Sequence, residues 1–199
     1  MDIREYFEKY NDVFAEDFAF SRKFASQINR ILVETEATLY DYEEHKNPED
    51  FVKDKMGYDR CLKLDIKYGA RVRRYDYLEK WFDFTVDFKE WQISDAEIYF
   101  YGWADSKESE IILWILFDYK KLKELDKQGK IKKIKQINET HSKVPFWAIN
   151  FNQLYDYGII IEFGGKKDYI NKFIPKEWRT QRKLTHFSLK RKGGWFRNA

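Results

Sequence analysis

An α+β domain is the fold class this sequence predicts: an N-terminal helix followed by a mostly antiparallel mixed sheet with flanking helices. Three observations lead there. Apolar residues keep helical spacing early in the chain, the period then changes to alternation over several short segments, and a lysine-rich helical stripe follows them.

The first helix is expected over about residues 12–40. Phe14, Phe18, Phe20, Phe24, Ile28, Ile31 and Leu32 fall on one face, and neither Pro nor Gly interrupts them. Residues 41–55 are polar, contain Asn47-Pro48 and read as a loop. From Arg60 to Ile66 apolar Leu62, Leu64 and Ile66 alternate with Cys61, Lys63 and Asp65, which predicts a strand. Lys67-Tyr68-Gly69 supplies its turn, and Ala70 to Arg74 returns as the second strand of a hairpin. Phe82 to Phe88 alternates aromatic and polar residues and is the plainest strand in the chain. Ile98 to Ala104 and Glu110 to Tyr119 follow, joined by a turn over 105–109. The second of these is apolar enough to lie centrally in a sheet. A helix is expected from Tyr119 to Lys127. Leu122, Leu125, Ile131 and Ile134 form a weak helical stripe, which Gly129 breaks into a helix followed by a turn or a second short segment. Short strands at 146–151 and 158–163 complete the array, the last ended by Gly164-Gly165. Three prolines and nine glycines in 199 residues predict one domain, residues 1–165, followed by a basic, aromatic-containing C-terminal extension, 166–199.

Composition narrows the function classes. Hydrophobic residues make up 43% and aromatics 19%, too many for a disordered tail protein. The longest apolar run, Ile111 to Phe117, is far short of the ~18 residues of a spanning helix. The charged start Met1-Asp2-Ile3-Arg4-Glu5 has no apolar core, so no secretory signal and a cytoplasmic location are expected. One cysteine, Cys61, gives no disulfide framework and no cysteine-rich zinc site. His45, His141 and His186 lie far apart, without metal-ligand spacing. Gly164-Gly165-Lys166-Lys167 lacks the earlier glycine and the Ser/Thr of a phosphate-binding P-loop.

Charge is unevenly placed. Residues 1–59 carry 8 Lys+Arg against 15 Asp+Glu, whereas residues 166–199 carry 11 against 2. A cationic end of this density suits phosphate neutralisation, and Trp178, Phe187, Trp195 and Phe196 within it suit stacking on bases. The same rings would equally anchor the extension to the core. A second cationic stretch, Lys120, Lys121, Lys123, Lys127, Lys130, Lys132, Lys133 and Lys135, is either a solvated helix face or a phosphate-facing surface. The nucleic-acid contacts expected from these regions are Lys120, Lys121, Arg179, Arg182, Lys183, Lys190, Arg191 and Lys192, with Arg71, Arg73 and Arg74 at the hairpin.

The acidic run Asp41, Glu43, Glu44, Glu49, Asp50, Asp54 and Asp59 leads into Asp65-Ile66-Lys67. Carboxylates converging after a strand suit Mg²⁺, and a nearby lysine orients the attacking water and steadies charge on a phosphate. With its N-terminal helix, an acid ahead of an acid-x-lysine triplet, and further strands with a basic surface, the chain resembles the PD-(D/E)XK, restriction-endonuclease-like superfamily over roughly residues 20–120. Gly57 to Leu62, Ala70 to Arg74, Phe84-Thr85-Val86 and Tyr99 to Trp103 also look similar to small phage-encoded members.

The resemblance implies a Mg²⁺-dependent DNA endonuclease of a phage or mobile element. Asp59 would be the first acid, Asp65 and Lys67 the acid-x-lysine pair, and Glu34 or Glu36 an accessory acid. On one straight strand Asp59 and Asp65 would be about 20 Å apart, too far for one ion. Either Asp50 is then the first acid, reaching Asp65 from the loop, or Asp59 faces Arg71-Val72-Arg73 in a degenerate site. The second case implies an inactive protein that binds nucleic acid or a host protein, for example as an inhibitor of host defence. In the plain structural alternative Asp65 opposes Arg71 across the hairpin as an ion pair.

Overall fold

The computed structural model describes residues 19–34, 39–41, 60–62, 66–137 and 144–180. The amphipathic stripe of the first helix, α1 (Ala25–Glu34), is where the sequence places it, and Phe24, Ile28 and Leu32 are buried along it. The helix ends earlier than its spacing suggests. Leu39 and Tyr40, expected to end the helix, form a strand with Asp41 instead, β1 (Leu39–Asp41). Next come β2 (Arg60–Leu62) and β3 (Ile66–Arg73).

The hairpin joining these two is displaced from its expected place. Lys67, Tyr68 and Gly69 are not a turn; they lie inside β3, with Arg60 opposite Tyr68 and Leu62 opposite Ile66. Gly69 misleads because β3 is central: the strand pairs with β2 at one side and with a parallel strand at the other, and Gly69 itself, held opposite Tyr99, needs no turn. With residues 67–69 inside β3, Arg71 does not sit across a turn from Asp65, which itself lies outside the described residues. Arg71 stands opposite Tyr101 instead.

The chain continues through α2 (Tyr75–Lys80), β4 (Asp83–Asp87), α3 (Phe88–Ile93), β5 (Ile98–Ala104) and β6 (Ile111–Asp118). After α4 (Tyr119–Lys127) come β7 (Ile134–Ile137), β8 (Pro145–Asn150), α5 (Phe151–Asp156), β9 (Ile160–Gly165) and α6 (Lys167–Phe173). Six strands form one sheet in the order β1-β2-β3-β5-β6-β9, and three form another in the order β4-β8-β7. Among the described pairings only β3 with β5 is parallel, so the fold is α+β with a mixed sheet and flanking helices.

The large sheet is covered on both faces, which is why 111–117 is an unbroken apolar run rather than an alternating one. On one face α1 packs, with Phe20, Phe24, Ile28 and Leu32 against Tyr68, Val72, Phe100 and Trp114. On the other lie the small sheet and the remaining helices. Phe84 sits at the centre there, 4.9 Å from Phe117, 5.1 Å from Tyr99 and 5.4 Å from Tyr101, at the edge-to-face angles that favour the ring quadrupoles. This core also takes in Ile174 and Trp178, so packing continues past residue 165. Trp178 stacks on Tyr155 at 4.7 Å, the anchoring role open to it in the sequence. No helix among the described residues is long and apolar enough to cross a membrane.

Candidate nucleic-acid interface

The parallel pair β3/β5 forces a crossover, and β4 with α3 provides it. Asp87 ends β4 and caps α3, accepting hydrogen bonds from the backbone N–H groups of Lys89 (2.7 Å) and Glu90 (3.2 Å). That cap fixes where Glu90 sits. Asp87→Ala should cost about 0.5–2 kcal/mol, the usual range for a lost N-cap, as a lowered urea midpoint.

Glu90 gathers the first polar network. Its Oε2 accepts from Arg71 Nη2 at 2.5 Å and its Oε1 from the Tyr99 hydroxyl at 2.7 Å, while Arg71 Nη1 donates to the Thr85 carbonyl at 3.2 Å. Arg73 Nη2 reaches Thr85 Oγ1 at 2.8 Å and its Nε the Tyr101 hydroxyl at 3.2 Å. Arg71 and Glu90 are mostly buried, with side chains 20% and 17% exposed. Arg71 and Arg73 therefore tie the crossover to the large sheet. Burial first, and the Glu90 charge next, hold the nearby Tyr119 hydroxyl well above its ordinary pKa, so that side chain stays neutral.

The other residues singled out by sequence are dispersed. Arg74 donates to Glu108 at 2.8 Å and lies 4.7 Å over the Phe20 ring. Lys121 Nζ donates to the Gly158 carbonyl at 3.0 Å, and Lys120 is exposed. Arg179 Nη1 donates to Asn171 Oδ1 at 2.5 Å, near the far end of the fold. Lys67 bonds Asp95, and its carbonyl accepts from the Glu97 N–H at 2.8 Å. Burial raises the Asp95 pKa, Glu97 adds to that, and Lys123 opposes it; the exposed Lys67 pair is screened by solvent. Asp50, Asp59, Asp65, Glu36, Arg182, Lys183, Lys190, Arg191 and Lys192 lie outside the described residues, and of the Glu34 side chain nothing is described. Among the described residues no three His, Cys, Asp or Glu side chains come together as a metal group.

What the structure does assemble is a row of rings bearing lysines. In the small sheet Lys135 stands opposite Trp147 and Trp147 opposite Val86, which puts both on the face that Val86 buries. Trp147 stacks on Phe88, the first residue of α3, with ring centres 4.3 Å apart and planes 15° apart. The Lys135 ammonium lies 5.3 Å over Phe88. Lys133 lies 4.8 Å over Trp147 and 4.9 Å over Trp91, and Lys123, from α4, 5.1 Å over Trp91 and 5.7 Å over Tyr119. Three ammonium groups thus ride along Tyr119, Trp91, Trp147 and Phe88, each attracted to a ring face.

The charge along this row is only partly balanced. Lys133 pairs with Asp126 at 2.6 Å. Lys123 donates to the Trp91 carbonyl, and its pKa is lowered by burial first, then by Lys127, with Lys133 adding to the effect against Asp126. The groups acting on Lys123 are of both signs, Lys127 and Lys133 against Asp126 and Glu90. Lys127, Lys130, Lys132 and Lys135 are exposed nearby in the chain. Sequence reading found these lysines but not their rings. Phe88, Trp91 and Trp147 come from a crossover helix and a strand of another hairpin, and the β4–β8 and β7–β8 registers together bring them under the lysines. The Lys133-x-Lys135 alternation was the available signal, overshadowed by a helical stripe that runs through Ile131 and Ile134. Comparison with protein-family models and with curated proteins finds no match to this chain.

Proposed function

We propose that this protein binds nucleic acid, with single strands preferred, where Lys133 and Lys135 ride over Trp147 and Phe88, beside the buried Trp91 and Tyr119. The observation that carries the reading is Lys135: exposed, with its ammonium above the Phe88–Trp147 stack. Cations that track a backbone beside rings that accept bases are the two components of sequence-tolerant single-strand binding. Phe88 and Trp147 are half-buried, stacked on each other and each under a lysine, so a base would join the stack by displacing an ammonium group toward its phosphate. Fluorescence anisotropy with labelled single-stranded and duplex DNA of equal length tests it. The single strand should bind more tightly, and Phe88→Ala should weaken it by about 1–2 kcal/mol, roughly 5- to 30-fold. Equal affinity for both forms, unaffected by Phe88→Ala, would reject the reading.

A restriction-endonuclease-like fold and Mg²⁺-dependent cleavage of DNA form the second reading. It is favoured by the position of Lys67 in β3, two residues after Asp65 in sequence and beside Asp95, with Glu97 adjacent. The ion would require Asp65 with Asp59 or Asp50, and its contribution would be to polarise a phosphodiester. Lys67→Ala should then abolish cleavage while leaving binding intact. Cleavage that survives this substitution would exclude Lys67 from the chemistry.

A further inference from the structure

Away from the lysine row, where β9 ends and α6 begins, a cleft of about 350 Å³ is lined by Phe163, Gly165, Lys167, Ile170 and Arg179. Its size is at the lower end of small-molecule pockets, about 300–1,000 Å³. Of its four lining side chains two are cationic, two are apolar, and none is acidic. The Nε of Arg179 is buried and has no hydrogen-bond partner. Asn171 occupies Nη1 of the same guanidinium at 2.5 Å and thereby orients it, so the unsatisfied donor is on the opposite, side-on edge. That edge is the fork with which arginine grips an oxyanion in bidentate fashion. A buried donor left unsatisfied on a fixed cation is a group awaiting an acceptor.

From these features we infer that the cleft binds a phosphate monoester, with Arg179 and Lys167 on the phosphate and Phe163 and Ile170 against its organic body. Two cations without a lining carboxylate match a dianion better than a singly charged carboxylate. The apolar wall asks for more than inorganic phosphate. A free nucleotide and the terminal phosphate of a strand offer the same chemistry. The inference is independent of the lysine row, which it does not use.

Isothermal titration calorimetry on the full chain tests it with adenosine 5′-monophosphate, adenosine, inorganic phosphate, and a dinucleotide with or without a 5′-phosphate. The monophosphate should bind, adenosine should not, and phosphate should bind more weakly. A 5′-phosphorylated dinucleotide that binds as well as the mononucleotide identifies a strand end as the source; one that fails identifies a free nucleotide. Arg179→Gln and Lys167→Gln should each weaken monophosphate binding about tenfold. Lys172→Gln on the same helix, where Lys172 pairs with Glu79 at 3.0 Å, should leave it unchanged. Because Lys167 is exposed, its substitution tests the site even if Arg179→Gln perturbs folding. Absence of monophosphate binding at 10 mM, equal binding of adenosine, or full binding by Lys167→Gln would overturn the inference.

Discussion

Glu90→Ala is expected to destabilise the domain by about 3–5 kcal/mol, the cost of leaving a buried cation without its partner. The physical reason is asymmetry. Arg71 comes from the large sheet and Glu90 from the crossover helix, and both are withdrawn from water. With Glu90 removed, the Arg71 guanidinium and the Tyr99 hydroxyl both lose the carboxylate that accepts from them. Glu90→Gln retains an acceptor for Tyr99 and should lose less. Arg71→Met combined with Glu90→Gln removes the stranded charge and should recover part of the loss, since pairwise removal of buried ions is cheaper than breaking the pair. Urea unfolding reads this as a lower midpoint at constant slope. A loss below about 1 kcal/mol would show that the pair is solvated in solution and does not join crossover to sheet.

Gly165→Ala is the second large effect. Gly165 has φ +136°, a conformation that side chains disfavour, and a Cβ there would lie 2.3 Å from the Ile112 carbonyl oxygen and 2.8 Å from the Leu113 Cα. Those obstacles are backbone of the central strand β6 and cannot swing aside. The cost should include about 1–3 kcal/mol for the dihedral alone, with the clash in addition. Gly129 provides the control. Its φ is +70°, but nothing lies within 4 Å of a Cβ there, so Gly129→Ala should show only the left-handed penalty of about 1–2 kcal/mol. Thermal melts of the two variants separate the explanations: equal shifts would mean that the approach of β9 to β6 is looser than the register implies.

The parts of this fold that sequence revealed are those whose signal is local. The strand Ile98–Ala104 and the helix Tyr119–Lys127 appear at their expected bounds, the latter started by Asp118, whose carboxylate accepts from the Lys121 N–H at 2.8 Å. What local signals missed depended on distant partners. Gly69 reads as a turn until its pairing with Tyr99 of β5 holds it in a strand. Ile134 continues a helical stripe until β8 captures it as an edge strand, where it remains exposed. At the candidate interface the lysines were legible because charge runs are visible in one dimension. The rings beneath them were not, because Trp91 and Trp147 meet Lys133 only through tertiary packing. Arg71 and Arg73 looked like free cations for the corresponding reason: Glu90 and Thr85 are separated from them in sequence by a helix and a strand.

The central claim, that the lysine row receives a nucleic-acid backbone, is tested most directly by the salt dependence of single-stranded DNA binding in the wild-type chain and in Lys135→Gln. Each phosphate neutralised contributes about −0.7 to the slope of log K against log salt for single strands. The wild type should show a steep negative slope, and Lys135→Gln should make it shallower by about that single increment, with far-ultraviolet circular dichroism unchanged. A wild-type slope near zero, or one that Lys135→Gln leaves unaltered, would contradict the account and remove the row from any contact with phosphate.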